Sequence, residues 1–335
     1  MAVLGTLRRR ILTPDIAQTS MAVRGFHVKS QTARERLETV GRSFLQGFAA
    51  AAESGRPSDA DKDLKKISEN YRGFAYEGAA MALAIRDGIP VGGRRHVEEF
   101  LAGPGDEHVY MAYVGVGWAM ARLPQRFWSR LYAPDPLLRW LVLDGYGFHQ
   151  AYFKTGTYVT GQFQHQRFPW PVEGPRWYAG RVIDQGVGRA MWFVAGTDAR
   201  RLHEMIQRFP GHRRADLYSG AGLACTYAGG AGEEELRWLL DAAGPYAGDL
   251  AQGASFAAGA RVRAGLVVPA TETGTRILCG CSAAEAAAVN DEAQIGLGHS
   301  DSRPAYEQWR QRIKDAYRTA DGTLRPAVKR LRETA

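Results

Sequence analysis

The chain has 335 residues, 45% of them hydrophobic, and 43 Lys and Arg against 35 Asp and Glu give it a formal charge of +8. That apolar content suffices for a folded core, and no run of about 18 apolar residues occurs, which speaks against a membrane-spanning helix. The positive charges are interleaved with acids, as in Arg34-Glu35-Arg36 and Glu233-Glu234-Glu235-Leu236-Arg237, which argues against a nucleic-acid surface.

In chain order, residues 1–30 read as a lead-in segment with Pro14, Gly25 and weak periodicity. Its Leu7-Arg8-Arg9-Arg10-Ile11-Leu12 run is basic but lacks the apolar stretch of a secretory signal. A frayed basic end is the favoured reading, and contact with an anionic surface is the other. From residue 31 one unit recurs. A short amphipathic helix ends at a break (Pro104, Pro134, Pro210, Pro245), and the first motif glycine of a glycine-centred helix follows about ten residues after the break. The first motif glycines are Gly47, Gly78, Gly115, Gly145, Gly186, Gly220 and Gly253, a mean spacing of about 34 residues. The surroundings are small residues, as in Ala79-Ala80-Met81-Ala82 and Ala257-Ala258-Gly259-Ala260. Glycine inside a helix costs about 0.5–1 kcal/mol relative to alanine, so its recurrence predicts close helix–helix approach. The expected fold is all-α: a repeat array of about seven helical hairpins, an α-solenoid or closed α/α toroid, with the Gly-motif helices packed inside.

Two stretches interrupt the unit. Residues 155–178, with Phe168-Pro169-Trp170-Pro171, form an insertion long enough for a lid. From Pro304, the spacing of Tyr306, Trp309, Ile313 and Tyr317 makes one helical stripe that would cap the array. Residues 31–320 are thus expected as one helical domain and residues 321–335 as a mobile basic tail. Cys225, Cys279 and Cys281 form neither a disulfide framework nor a zinc spacing, and are read as small apolar residues of a cytoplasmic protein.

The residue before each motif glycine is often polar: Gln46, Glu77, Asp144, Gln185, Ser219 and Gln252. Equivalent positions of an array point to one side, so these groups either line a shared pocket or cross-link neighbouring repeats. In the first case Glu77 and Asp144 are the acid/base candidates. Tyr146 and His149 stand i,i+3 on the same polar-aromatic helix as Asp144, and Tyr146 and Gln150 i,i+4, which makes Tyr146 and His149 catalytic candidates beside the carboxylates. Tyr76, Gln150, Gln185, Gln252 and His165 are the candidate substrate-binding residues. No metal-ligand spacing, phosphate loop, dinucleotide fingerprint or nucleophile elbow is present, and the cofactor is left open, including one carried by a partner.

Arg72-Gly73-Phe74-Ala75-Tyr76-Glu77-Gly78-Ala79-Ala80-Met81-Ala82 and Leu143-Asp144-Gly145-Tyr146-Gly147-Phe148-His149-Gln150, with Val23-Arg24-Gly25-Phe26-His27, His108-Val109-Tyr110-Met111 and Gly115-Val116-Gly117-Trp118-Ala119, resemble the accessory proteins of enediyne polyketide biosynthesis, a bacterial family labelled as a domain of unknown function. The resemblance runs over about residues 5–320. It implies a cytoplasmic, actinomycete protein encoded near an iterative polyketide synthase, acting while a linear polyene becomes the enediyne core. It maps no catalytic residue onto this chain. Two function classes follow: a polyene-tailoring enzyme of open reaction type whose partner is a hydrophobic polyene or enediyne-related molecule, or a non-catalytic helical scaffold or chaperone for other enediyne biosynthetic proteins.

Overall fold

A computed structural model describes residues 2–90, 95–170, 175–298 and 303–317, and it is helical throughout, with no β-strand among the described residues. The chain divides into two compact units, Met1–His149 and Gln150–Ala335.

The first unit holds α1 (Ala2–Leu12), α2 (Met21–Arg24), α3 (Gln31–Glu53), α4 (Asp61–Leu64), α5 (Glu69–Gly88), α6 (His96–Leu101), α7 (Val109–Arg122) and most of α8 (Trp140–Phe153). Ser30 caps α3, its hydroxyl accepting from the Ala33 amide. Helix α3 packs on α5 and α5 on α7. The motif glycines explain how closely. A Cβ at Gly47 would overlap the Ala75 carbonyl, one at Gly78 the Phe44 carbonyl, and one at Gly145 the Val114 carbonyl. Each glycine therefore lets one helix backbone seat directly on the next. The segment expected as a weakly periodic lead-in is α1, a 3₁₀ turn and α2, tied down where Arg8 donates to the carbonyls of Ala52, Glu53 and Ser54 at the end of α3. The helix expected around Phe127–Leu131 is instead a 3₁₀ turn, Gln125–Arg130. Trp128 Nε1 donates to both Met120 and Leu123 carbonyls at 3.0 Å, which folds this segment back on the end of α7 and leaves no length for a helix.

The second unit holds α9 (Ala179–Val194), α10 (Ala199–Gln207), α11 (Gly211–Tyr227), α12 (Glu233–Ala243), α13 (Ala247–Arg263), α14 (Pro269–Leu278), α15 (Ala283–Glu292) and α16 (Ala305–Ala316). Helices α9, α11, α13 and α15 pack on one another in sequence order, and α10, α12 and α14 do the same. Pro210 sits at the start of α11 and Pro245 in the turn before α13, as the helix–turn–helix reading requires. Glycines again set the spacing: a Cβ at Gly220 would overlap the Gln185 carbonyl and one at Gly253 the Ser219 carbonyl. Asp198 caps α10 and Ser282 caps α15. The Tyr306, Trp309, Ile313 and Tyr317 stripe is fully buried, with Trp309 4.5 Å from Phe256 of α13 and donating to the Asn290 carbonyl of α15. The 155–178 segment contains a π-helical turn, Gly156–Thr160, and a 3₁₀ turn, Arg176–Tyr178. The 321–335 tail lies outside the described residues.

Candidate functional site

In the first unit, α5, α7 and α8 bury almost every side chain, small or large. Glu77 and Asp144 are both buried, whereas Gln46, at the matching position of α3, is exposed. A carboxylate in such a setting keeps its charge only with polar partners. Tyr76 donates to Asp61 Oδ1 at 2.6 Å and stacks on His108 with ring centres 3.6 Å apart. Burial, reinforced by the Asp61 hydrogen bond, pushes its phenol well above the ordinary tyrosine range, so it stays protonated as a donor.

Tyr146 and His149 take different aromatic partners. Tyr146 lies edge-on to Trp128, ring centres 6.0 Å apart, and His149 lies edge-on to Trp118 at 5.4 Å. Trp118 also meets Phe44 at 4.5 Å and Phe148 at 5.3 Å. This row, Phe44, Trp118, Phe148 and His149, spans α3, α7 and α8 and is the grouping that spacing arguments missed. A signal for it exists: Trp118 and Phe148 each directly follow the second glycine of their motif. On the surface of the same unit a cleft of about 560 Å³ opens between α3 and the start of α5, lined by Thr39, Ser43, Gln46, Lys66, Ile67 and Tyr71 among others. Its size falls in the small-molecule range.

In the second unit the pre-glycine positions meet α16. Tyr306 donates to Gln185 Oε1 at 3.1 Å. Gln252 Oε1 accepts from Ser219 at 2.6 Å and from Arg310 Nε at 3.3 Å. Around them lies an ionic lattice. Arg181 grips Asp216 with two hydrogen bonds of 3.0 and 3.2 Å and Glu307 with one of 2.7 Å. Arg310 contacts Asp216 at 2.8 Å and donates to the Tyr178 hydroxyl at 3.1 Å, and that hydroxyl donates to Glu307 at 2.5 Å. Lys314 holds both oxygens of Asp249 at 2.6–2.7 Å. Burial would raise the Glu307 carboxyl, but Arg310 and Arg181 outweigh it and hold its pKa below the ordinary value. Burial wins at Asp249, which is raised in spite of Lys314.

A second buried pair supports the inserted segment. Arg213 holds Asp184 with hydrogen bonds of 2.5 and 2.8 Å and donates to the Gln162 carbonyl at 2.6 Å, while Gln164 reaches Asp184 at 3.3 Å. Burial pushes Asp184 up to about 6 against the pull of Arg213. His165 lies between Phe163 and Phe168, ring centres 4.9 and 5.1 Å away, with Nε2 3.1 Å from the Tyr158 hydroxyl. Burial lowers its pKa. Gln150 is buried at the start of this unit.

The structure therefore brings Gln185 and Gln252 together under α16, places His165 in a separate aromatic knot, and sets Tyr76, Tyr146 and His149 against three different rings. Among the described residues no three His, Cys, Asp or Glu side chains are placed to share a metal ion, and no helix is long and apolar enough to cross a membrane. The three cysteines are buried and unpaired with one another.

One protein family matches this chain over residues 3–317, the family described as Protein of unknown function (DUF1702). The chain belongs to that family. No curated protein and no solved structure matches it significantly. The DUF1702 match takes in both units described above, from α1 to the end of α16, so the glycine-motif helices and the α16 lattice both lie inside the family's span.

Proposed function

We propose that this protein is a cytoplasmic accessory factor of enediyne natural-product biosynthesis, acting on or alongside a polyketide-derived polyene as the core matures. The pathway comes from the motif resemblance. The observation that carries the small-molecule side of the reading is the aromatic row Phe44–Trp118–Phe148 with His149 at its edge, in the same unit that buries Glu77 and Asp144. A conjugated polyene is flat and apolar, and aromatic faces with a few polar groups suit such a ligand. Glu77 and Asp144 orient it or move a proton, with Tyr146 and His149 in support. The helical hairpins of each unit are read as copies of one repeat, in an α-solenoid or closed α/α toroid.

A scaffold role is the second reading, and one observation favours it. In the second unit the polar pre-glycine positions Gln185, Ser219 and Gln252 are engaged in hydrogen bonds within the fold, so there the repeated polar register serves cohesion. The test is metabolite profiling of an in-frame deletion in a strain that encodes the protein, complemented with wild type, Glu77→Gln or Asp144→Asn, each shown folded by circular dichroism. Loss of the enediyne product on deletion, unrestored by either folded variant, supports the catalytic reading. Full restoration by both removes acid/base work at these positions and leaves the scaffold. An unchanged product profile on deletion refutes the pathway assignment.

A further inference from the structure

Among the described residues, helix α1 packs on the end of α3. Gly5 lies against the Glu53 backbone, where any Cβ would overlap the carbonyl oxygen, and Arg8 caps the end of α3 through three carbonyls. At 100° per residue, Leu4, Leu7 and Ile11 fall within an arc of about 60° on another side of the helix. They are 63%, 51% and 69% exposed. Ile16, Val23 and Val28 in the following segment are exposed as well, so six of the eleven large exposed hydrophobic residues among the described residues lie between positions 4 and 28. Scattered exposed leucines need no account, but this concentration in one short segment of the chain does.

The charge of the same segment indicates what covers it. Residues 1–30 contain Arg8, Arg9, Arg10, Arg24 and Lys29 against the single acid Asp15, which is half of the chain's formal +8; Arg8 is engaged at the end of α3 and Arg9 pairs with Glu53 at 2.9 Å, so Arg10 is the α1 arginine that flanks the stripe. Arg10 falls beside Leu7 on the flank of the apolar arc, by the same helical geometry. An apolar stripe edged by arginine on a helix that lies along a folded body matches an in-plane membrane anchor: the side chains enter the acyl boundary while the guanidinium groups meet lipid phosphates. We propose that α1 and the segment after it dock the protein peripherally on an anionic lipid surface. The reading is independent of the pathway assignment above.

The experiment is co-sedimentation of the full chain with vesicles of phosphatidylcholine containing roughly a third phosphatidylserine, beside vesicles of phosphatidylcholine alone. Wild type is expected to pellet with the anionic vesicles, much less with the neutral ones, and to be released as salt rises from about 0.1 to about 0.5 M. Leu4→Gln/Leu7→Gln/Ile11→Gln should weaken binding about tenfold or more, with an unchanged melting temperature because all three side chains are exposed. Arg10→Gln, which leaves the stripe intact, should weaken it roughly fivefold. Wild type remaining in the supernatant with anionic vesicles at low salt overturns the proposal. So does equal binding to neutral vesicles, or full binding by the folded triple variant. A concentration-dependent dimer that the triple variant abolishes, without vesicle binding by wild type, assigns the stripe to a second copy of the chain and overturns it too.

Discussion

Replacing Arg213 by methionine tests how the polar side of α9 and α11 is held together. Arg213 and Asp184 are 4% and 1% exposed, and the substitution removes two hydrogen bonds to the Asp184 carboxylate and one to the Gln162 carbonyl. The Gln164 amide at 3.3 Å stays behind as a neutral and longer contact. Breaking one side of a buried ion pair costs about 3–5 kcal/mol, because the other charge remains in the interior. Here that cost depends on pH, and its sign can be worked out. Burial already raises Asp184 from 3.8 to about 6. A carboxylate with a folded pKa above its unfolded one binds its proton more tightly in the native state. Its stabilising contribution is complete below 3.8 and is lost as pH rises through about 6. Without Arg213 the loss continues further up the pH scale. The variant should be destabilised by about 3–5 kcal/mol near pH 8. Near pH 5 Asp184 carries its proton, and the penalty should shrink to about 1–2 kcal/mol, that of lost neutral hydrogen bonds. Urea unfolding followed by circular dichroism at both pH values measures this directly. Arg213→Met/Asp184→Leu should recover most of the loss at pH 8, since an apolar pair of similar volume replaces the ionic one. An equal penalty at both pH values, or a penalty under about 1 kcal/mol at pH 8, refutes the account.

Two further outcomes follow from packing. Alanine is a better helix former than glycine by about 1 kcal/mol, yet Gly220→Ala should destabilise by about 3 kcal/mol or more, because the new methyl overlaps the Gln185 carbonyl and a backbone atom cannot step aside. Gly156→Ala, with nothing within 4 Å of the added carbon, should stay within about 0.5 kcal/mol of wild type; equal melts for the two variants would sink the close-approach argument. Burial pushes the Cys225 and Cys281 thiols up to about 12 and raises Cys279 as well. The native protein should therefore resist a thiol reagent near pH 8 while all three cysteines label promptly in urea, and fast labelling of the folded protein would contradict the buried placement.

The helices were legible where one local cause decides them. The glycine motifs marked the close-packed helices, prolines 210 and 245 marked the breaks between helices, and the 3-4-4 spacing of Tyr306, Trp309, Ile313 and Tyr317 marked the buried side of α16. The flank of that stripe was not legible. Glu307, Arg310 and Lys314 look like ordinary surface charge in sequence, and their partners Arg181, Asp216 and Asp249 stand 65–126 residues away. Helical periodicity reports which side of a helix is apolar; it says nothing about whether the charged side faces water or another set of charges. The same limit hid α1, whose Leu4, Leu7 and Ile11 repeat at helical spacing but point outward. The turn at Gln125–Arg130 was misjudged because Trp128, apolar enough to suggest a helix face, spends its indole N–H on the end of α7.

The α16 lattice also changes how the candidate site reads. Pre-glycine positions were expected to behave alike because they are equivalent in the repeat, yet their surroundings differ. Gln185, Ser219 and Gln252 are neutral and are bonded within the second unit. The two acids of the series, Glu77 and Asp144, both lie in the first unit on α5 and α8, whose neighbours are alanine, glycine and aromatic side chains. Neutral amides and hydroxyls are the economical choice for cross-linking packed helices, since burying them costs far less than burying a carboxylate. At these three pre-glycine positions the chain uses glutamine and serine, with the buried carboxylates of the second unit placed elsewhere and paired with arginine or lysine. That difference is what singles out Glu77 and Asp144, rather than the whole pre-glycine series, as the positions to substitute first.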